Sequence, residues 1–441
     1  MKKSLYQITE YQSFAVASEE ECKKYNGIKS MNDPATFNAL KDFVLSNKNQ
    51  GDNLDLMVLS AKKGLGEVIT AKNYVGLITL RDGTNIEILP KISRDLGDSD
   101  DDIRKVKDIF LQMLKTLPNF SNKSVQTTNV DTSKMNIFEI FVRMFIDEIL
   151  GIAKRGIKSD YVSTQENLTC FKGKMLIAEN IRYNFAHAEH VFVEYDEFSV
   201  NRSENKLIKA TLQLLAKKSS NLNNKKDLRL LLTLFDGISS SDNYENDFSK
   251  CKIDRNMSDY YRALIWCKIF LKGKSFTSYS GSTISMALLF PMNDIFESFI
   301  ANKVKSYFKG TDYQVSIQDK IYYLYSSPKA FRLKPDIVIR NRNDSSDTYI
   351  IDTKWKLLFK GAHHYDISRD DIYQMFAYQR KYHAKDVTLI YPQVSDLSNI
   401  DNIKYEDADE NDIIRVQFVN LKDKESINNT LPECLSNIIS P

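Results

Sequence analysis

Two aspartates and one lysine near the C-terminal end of the sequence have types and spacing that suit chemistry on phosphate. Asp352 and Lys354 are two residues apart in an apolar segment typical of a β-strand, so their side chains leave the same face. Asp336 precedes a second apolar segment, and the polar stretch 341–347 between the two segments predicts a hairpin turn. The sequence therefore predicts two carboxylates and one ammonium group at one end of a sheet.

Such a cluster is costly inside an apolar strand unless its charges have partners. A hard divalent cation would supply one, because Mg²⁺ accepts one or two protein carboxylates and binds substrate phosphate as well. The metal would also lower the pKa of a bound water. We expect Mg²⁺, with Mn²⁺ as the alternative ion, held by Asp336 and Asp352. Lys354 is expected to position or help deprotonate the attacking water and to offset negative charge in the transition state.

Three further polar residues occur on predicted helices that flank these strands. Glu297 lies on the preceding helix and is a candidate third carboxylate for the metal. Gln374 and Tyr378 are four residues apart on a helix predicted over 369–383, so they share a face and could orient Lys354, a water or a DNA phosphate. Taken singly, Glu297 is equally consistent with a solvated helix residue and Tyr378 with a rim aromatic. The combination is what makes the pattern specific.

The elements that must position these residues form an α+β multidomain chain. A length of 441 residues is compatible with two or three domains. The pattern predicts a β-rich N-terminal domain at 1–130, with a hairpin turn at Asp82-Gly83, and a mainly helical middle region at 131–284. A C-terminal α/β domain at 285–441 would contain a central mixed sheet. In it, Ser368 is predicted to cap a helix, with Asp371 reaching back to the cap.

Composition excludes a disordered chain and sets limits on the partners. Lys and Arg total 61 against 58 Asp and Glu, a net charge of +3, so global charge does not indicate a nucleic-acid binder. Five scattered cysteines without a CxxC pair favour free thiols in a reducing compartment. No apolar run is long enough to span a bilayer and no secretory signal is visible, so we expect a cytoplasmic protein without a membrane.

The site pattern resembles the PD-(D/E)xK nuclease superfamily, in the subset whose following helix carries Q-x-x-x-Y. More narrowly, it is similar to the McrC family of nuclease subunits of McrBC-type, 5-methylcytosine-specific restriction systems. The matching segments run from about residue 74 to 391. They include Tyr74–Ile92, Glu166-Asn167-Leu168, Tyr195–Phe198, Glu204-Asn205-Lys206, Phe290–Glu297, Leu333–Val338, Ile351–Lys356 and Asp371–Tyr378.

The resemblance implies a PD-(D/E)xK fold in the C-terminal domain and a Mg²⁺-dependent endonuclease that cuts double-stranded DNA. It also implies a partner, a McrB-type AAA+ GTPase hexamer, which docks on the N-terminal domain and whose GTPase this chain stimulates. The chain has no G-x-x-x-x-G-K-[ST] loop, so it is not expected to be the motor. Basic residues near the first catalytic strand are candidate phosphate contacts, the alternative being ordinary solvated basic residues: Lys334, Arg332, Arg340 and Lys356.

Two other functions are compatible with this pattern. The chain could be a non-catalytic GTPase-activating scaffold that retains the nuclease fold, although the intact set of Asp336, Asp352 and Lys354 argues against that. It could also be a free-standing RecB-like repair nuclease, although it lacks the cysteines of the iron–sulfur nucleases in that group.

Overall fold

The computed structural model describes residues 5–48, 56–93, 99–117, 137–251, 257–272, 284–344, 346–397, 400, 402–406 and 413–439. Its contacts divide the chain into two compact units. The first unit comprises Met1–Ser124, Val130–Ser133 and Tyr279–Pro441, and the second comprises Val125–Asn129 and Lys134–Ser278. The first unit thus contains both the N-terminal and the C-terminal segments, which the sequence analysis treats as separate domains.

The N-terminal part of the first unit contains two four-stranded sheets. The strands are β1 (Leu5–Thr9), β2 (Ser13–Ala15), β3 (Ile28–Ser30), β4 (Met57–Lys62), β5 (Gly66–Ala71), β6 (Tyr74–Leu80), β7 (Asn85–Leu89) and β11 (Ile284–Pro291). One sheet has the order β1-β7-β6-β11 and the other the order β3-β2-β5-β4. The helices are α1 (Glu19–Lys23), α2 (Pro34–Lys48) and α3 (Asp100–Leu114).

The predicted hairpin at Asp82-Gly83 is present. Strands β6 and β7 pair antiparallel, Thr84 N donates to Asp82 Oδ1 at 2.8 Å, and Gly83 takes the positive φ of 89° that such a turn requires. Strand β11, which lies in the segment after 284, pairs antiparallel with β6 along its length. This pairing explains why the two ends of the chain belong to one unit.

The C-terminal part of the first unit is built on a six-stranded mixed sheet. Its strands are β12 (Tyr313–Ile317), β15 (Ile337–Asn341), β16 (Thr348–Thr353), β17 (Asp386–Pro392), β18 (Asn402–Glu406) and β19 (Ile413–Val419), with a separate hairpin of β13 (Tyr323–Ser326) and β14 (Lys329–Arg332). The sheet order is β12-β15-β16-β17-β19-β18; β15 and β16 pair antiparallel, and β16, β17 and β19 run parallel. The helices are α10 (Met292–Tyr307), α11 (Arg369–Tyr382) and α12 (Lys424–Ile439).

Apolar side chains bury both faces of the central strands. Val338 and Ile350 pack with Val387 and Leu389 on one side, together with Met375 of α11, and all are inaccessible to solvent. Burial of this kind is the main driving force for folding, at about 25 cal/mol per Å² of apolar surface. Ile337 and Ile351, which alternate to the opposite face, are inaccessible as well, so the strands that end at the candidate site are buried on both sides.

The second unit is mainly helical, and it also contains a sheet that was not predicted from the sequence. Its helices are α4 (Ile137–Arg155), α5 (Ile177–Asn184), α6 (Ser203–Lys218), α7 (Leu222–Leu234), α8 (Tyr244–Lys250) and α9 (Ser258–Lys272). The sheet has the order β8-β10-β9, from β8 (Asp160–Leu168), β9 (Lys174–Met175) and β10 (Val191–Ser199). Most side chains of β8 are exposed or half-buried, so the strand lacks the alternating apolar signal that sequence analysis depends on.

Across the described parts of the two units, no helix has the length and apolar character needed to cross a membrane.

Candidate active site

Asp336 and Asp352 lie at the same end of the neighbouring strands β15 and β16. Ile337 is paired with Ile351, so the two aspartates face each other one position further along. Asp352 is only 3% exposed, whereas Asp336 is half-buried. Burial, and next the nearby Asp336 carboxylate, raise the pKa of Asp352 to about 7, although Lys354 acts in the opposite direction. The structure thus brings the two predicted carboxylates together in a poorly solvated place.

The Asp336 carboxylate is oriented by Thr353. Its Oδ2 accepts hydrogen bonds from the backbone N and from the hydroxyl of Thr353, both at 2.8 Å. Burial raises the pKa of Asp336, while these two hydrogen bonds and the charge of Lys354 lower it and leave a net increase. Thr353 was not predicted as a site residue, although it stands between the two predicted residues of β16.

The Lys354 ammonium group is held by three polar side chains. Its Nζ lies 2.8 Å from Asp352 Oδ2 and 3.3 Å from Asp371 Oδ1, and it donates to Gln374 Oε1 at 3.1 Å. Burial alone would lower the pKa of Lys354, but the two carboxylates outweigh it and raise that pKa. The lysine is therefore charged and fixed in position at neutral pH.

Helix α11 supplies a second layer behind Lys354. Gln374 Nε2 donates to the Tyr378 hydroxyl at 2.7 Å, across the four-residue spacing that puts both side chains on one face. Tyr378 is buried, and burial together with the Asp352 charge raises its pKa to about 12. The phenol therefore stays neutral and fixes the orientation of the Gln374 amide, whose oxygen then points at Lys354.

The predicted cap of α11 is wrong in one respect. Ser368 caps the helix, but its hydroxyl accepts from Asp370 N at 3.2 Å, and the Asp371 carboxylate is directed at Lys354 instead of reaching back to the cap. Asp371 is thus a site residue that sequence reasoning assigned to a helix end.

The donor set at the end of β16 fits a hard divalent cation. Asp352 Oδ2 is buried and lies 2.8 Å from Lys354 Nζ, and the Asp336 carboxylate is close enough to raise the pKa of Asp352, so one ammonium group faces two neighbouring carboxylates. A buried carboxylate oxygen in this state gains from a cation. Within the described ranges, no group of three or more His, Cys, Asp or Glu is arranged to hold a metal ion. The available set is the pair Asp336 and Asp352, and Mg²⁺ commonly takes one or two carboxylates from a protein.

Glu297, the predicted third carboxylate, lies on α10 beside this pair. Its Oε1 accepts a hydrogen bond from Gln318 Nε2 at 2.9 Å. Burial raises the pKa of Glu297, and the Asp336 charge raises it further, so the two carboxylates influence each other. A metal-ligand role for Glu297 stays a prediction.

The predicted phosphate contacts fall into two groups. Arg332 and Lys334 are exposed, Arg332 lies over the Tyr323 ring at 4.9 Å, and the charge of Lys334 lowers the pKa of Asp336. These two cations are accessible to a ligand at the site.

Arg340 and Lys356 already have carboxylate partners. Arg340 Nη1 lies 2.8 Å from Asp319 Oδ2, and Lys356 Nζ lies 2.9 Å from Asp366 Oδ2. A DNA phosphate would have to compete with these carboxylates for either side chain.

Glu10 and Lys91, two buried residues from the N-terminal part of the first unit, contact Trp355, the residue that follows Lys354. The Trp355 indole N–H donates to the Glu10 carboxylate at 3.0 and 3.1 Å, and Lys91 Nζ donates to the Trp355 carbonyl oxygen at 2.5 Å. Lys91 N also donates to Glu10 Oε2 at 2.9 Å. Sequence reasoning missed this contact, because nothing in the separate segments signals that they meet.

Comparison with known proteins places this chain in a family. Residues 69–392 match the family described as McrBC 5-methylcytosine restriction system component. No curated protein matches the chain. A chain in the refined half-complex from a tetradecameric assembly of Thermococcus gammatolerans McrB AAA+ hexamers with bound McrC is 18% identical, with a TM-score of 0.65, covering 99% of this chain and 100% of that chain.

A second similar chain comes from the cryo-EM structure of the Thermococcus gammatolerans McrBC complex. It is 18% identical, with a TM-score of 0.44, and the match covers 69% of this chain and 88% of that one. At this identity the first structure shows a shared fold, whereas the family match, which spans most of the chain, shows ancestry. The predicted family is confirmed, and the chain belongs to the McrBC family of restriction system components.

Proposed function

We propose that this chain is the nuclease subunit of a McrBC-type restriction system, an endonuclease that hydrolyses phosphodiester bonds in double-stranded DNA with Mg²⁺ or Mn²⁺. The observation that carries the proposal is the arrangement of Asp336, Asp352 and Lys354 at the end of two adjacent strands. The mixed sheet with α10 and α11 beside it is the framework expected of a PD-(D/E)xK nuclease.

Asp336 and Asp352 would hold the metal, with Glu297 as a further candidate. When bound, the ion would polarise the scissile phosphate and lower the pKa of a coordinated water. Thr353 keeps the Asp336 carboxylate in one orientation through two hydrogen bonds, so the ligand geometry is set before substrate arrives.

Lys354 would act on the attacking water and the substrate phosphate, next to the carboxylates of Asp336 and Asp352. Because its ammonium group is fixed by Asp352, Asp371 and Gln374, it can orient an attacking water and offset charge that develops on the phosphate without reorganising. Its raised pKa favours electrostatic stabilisation over proton abstraction, since a lysine that stays protonated is a poor base.

A McrB-type AAA+ GTPase hexamer is the proposed partner, because the similar Thermococcus gammatolerans structure contains McrB AAA+ hexamers with bound McrC. The resemblance assigns docking to the N-terminal domain. We propose that the second unit contributes as well, since several of its large apolar side chains are more than half exposed. They lie on β8, β10, α5 and the adjoining loops: Tyr161, Phe171, Ile177, Ile181, Phe185 and Phe198.

Cleavage of DNA by the chain together with its partner tests the proposed function. Asp352→Asn and Lys354→Ala should each abolish cleavage while stimulation of the partner's GTPase persists. Lys360→Ala, which changes an exposed lysine on the loop after β16, is the matched control and should cut normally. Cleavage by both site variants at the rate of the unmodified chain would refute the site.

A further inference from the structure

The small hairpin formed by β13 and β14, residues Tyr323–Arg332, exposes aromatic rings beside the candidate active site. It is a two-stranded sheet separate from the central six strands. Phe331 is 72% exposed and Tyr325 59% exposed, and their ring centroids lie 6.1 Å apart. Two large exposed rings in contact form an apolar patch, and such patches on soluble proteins mark ligand or partner sites more often than single exposed residues do. We call this element the aromatic hairpin.

The backbone of the aromatic hairpin is strained at the more exposed ring. Phe331 has a φ of 54°, in the left-handed region that a residue with a bulky side chain rarely adopts. Strain of this kind persists where the surrounding structure enforces it and concentrates at functional sites. The fold therefore maintains an unfavourable conformation that holds an aromatic ring in solvent.

The charge around these rings is positive. Residues 320–335 contain four basic side chains and no acidic one. Lys329 and Arg332 flank the Tyr323 ring, with Nζ and Cζ at 5.9 and 4.9 Å from its centroid. Exposed aromatic rings interleaved with cations are the combination that binds nucleic acid, because bases stack on the rings and phosphates contact the cations.

The hairpin is anchored to the helix that positions Lys354. Leu333 N donates to Tyr322 O at 2.9 Å and closes its base. The Tyr322 ring packs on Tyr382 of α11 with centroids 4.6 Å apart, and the Tyr382 hydroxyl donates to Asp319 at 3.2 Å. The base of the aromatic hairpin is therefore held against α11, and this holds the exposed rings of Tyr325 and Phe331 in place.

The short segment between Arg332 at the end of the hairpin and Asp336 limits the distance from the hairpin to the candidate catalytic residues. Arg332 and Asp336 are four positions apart in the chain, so their Cα atoms are at most about 14 Å apart. One DNA strand rises about 3.4 Å per nucleotide, and that span corresponds to roughly four nucleotides.

We propose that the aromatic hairpin is a DNA-binding element in which Tyr325 and Phe331 stack on unstacked bases within a few nucleotides of the scissile phosphate. The inference rests on the proposed nuclease function for its substrate class. DNA is favoured over a protein partner because the hairpin carries only positive charge and adjoins the carboxylate pair.

Binding of the full chain to labelled DNA without divalent metal tests this separately from cleavage. The probes are a duplex with a short unpaired bubble and the same duplex fully paired. The bubble should bind more tightly to the unmodified chain, because its bases are already unstacked. Phe331→Gly and Tyr325→Ala should each weaken bubble binding by about 5- to 150-fold and reduce the preference for the bubble.

Phe331→Gly also separates binding from folding. Glycine relieves the positive φ, so this variant should unfold at the same temperature as the unmodified chain or higher, yet bind the bubble more weakly. Tyr307→Ala, which removes another exposed aromatic of the first unit, is the control and should bind normally. Arg332→Gln should lower the salt dependence of binding by about one phosphate contact.

Unchanged bubble affinity in both Phe331→Gly and Tyr325→Ala would overturn the proposal. Loss of binding to the AAA+ partner with DNA affinity intact would overturn it too and would assign the hairpin to a protein interface. If the hairpin variants lose DNA binding while the unmodified chain cuts no DNA with its partner, the DNA-binding role of the hairpin stands, whereas its placement next to a scissile phosphate and the proposed nuclease function both fail.

Discussion

The Glu10 carboxylate accepts both hydrogen-bond contacts of the Trp355 indole N–H, across 345 residues of chain. Glu10 is fully buried and Trp355 is 5% exposed, so this contact is isolated from water. Lys91 completes it by donating to both residues. Since Trp355 directly follows Lys354, the N-terminal sheets fix the backbone at the end of the candidate catalytic strand.

Removing the indole donor should therefore reduce cleavage as well as stability. Trp355→Phe keeps most of the apolar volume but leaves the buried Glu10 carboxylate short of a donor, which costs about 1–3 kcal/mol. We expect a lower free energy of unfolding in urea and a lower rate of DNA cleavage, with DNA affinity unchanged. Because Lys354 would lose its fixed position, the fall in rate should exceed that explained by the unfolded fraction.

Trp266→Phe is the control for this change. Trp266 is also buried, and it packs on Phe270 in the second unit, whereas the site residues belong to the first unit. The control should lower stability without lowering the cleavage rate per folded molecule. Equal rates for Trp355→Phe and Trp266→Phe at matched folded fractions would show that the Glu10 contact has only a structural role.

The Tyr378 hydroxyl is predicted to act through Gln374. Tyr378→Phe removes the acceptor of the 2.7 Å hydrogen bond from Gln374 Nε2 but retains the buried ring. A single hydrogen bond contributes about 0.5–1.5 kcal/mol, so cleavage should slow by about 2- to 13-fold. Gln374→Ala should slow it at least as much, and the double variant should be no slower than Gln374→Ala alone. If the losses in cleavage rate from Tyr378→Phe and Gln374→Ala add in the double variant, Tyr378 does not act through Gln374.

The pairing of strands β15 and β16 could be predicted from the sequence, because a short polar turn between two apolar segments allows few ways to align one strand with the other. Asp336 and Asp352 meet through that turn. The role of Asp371 could not be predicted in the same way, since an acidic residue three positions after a helix-capping serine satisfies a local rule. Only the packing of α11 against β16 directs its carboxylate to Lys354.

Contacts between distant segments were also beyond sequence reasoning. Glu10 and Lys91 lie in ordinary strand and turn surroundings, and no local pattern indicates that they bind Trp355. The sheet of β8, β9 and β10 was missed for another reason: the side chains of β8 and β10 are, with few exceptions, exposed or half-buried, so a clear alternation of buried apolar and exposed polar residues is absent.

The exposed aromatics of the second unit are predicted to bind the AAA+ partner. Tyr161 and Phe198 are 71% and 65% exposed, and their ring centroids are 5.4 Å apart on the paired strands β8 and β10. Tyr161→Ser with Phe198→Ser should weaken partner binding by more than tenfold, because aromatic anchors often contribute 2 kcal/mol or more. Affinity is measured by calorimetry with the purified partner.

Leu222→Ser gives the matched control for that surface. Leu222 is 82% exposed but begins α7, outside the sheet. It should leave partner affinity unchanged. If the double serine variant binds the partner like the unmodified chain, the docking surface lies elsewhere, and the N-terminal domain becomes the next region to test.

The last prediction concerns a buried carboxylate that holds two helices of the second unit together. Glu139 on α4 accepts hydrogen bonds from Ser219, Ser220, Asn221 and Asn224, at the start of α7. Burial would raise the pKa of Glu139, but these hydrogen bonds outweigh it and lower the pKa below its ordinary value of 4.5. The ionised form is therefore the one that the fold stabilises.

The sign of the pH effect follows from this direction. The folded protein binds the Glu139 proton more weakly than the unfolded chain, so the stabilisation is complete above about pH 4.5 and is lost as pH falls through the folded pKa. Glu139→Gln should lower the free energy of unfolding by roughly 1–3 kcal/mol at pH 7, because an amide cannot accept all of these hydrogen bonds. The difference from the unmodified chain should shrink below pH 4.5. Urea unfolding at neutral and acidic pH measures it, with the exposed Glu197→Gln as the control; a difference that stays constant with pH would contradict an ionised Glu139.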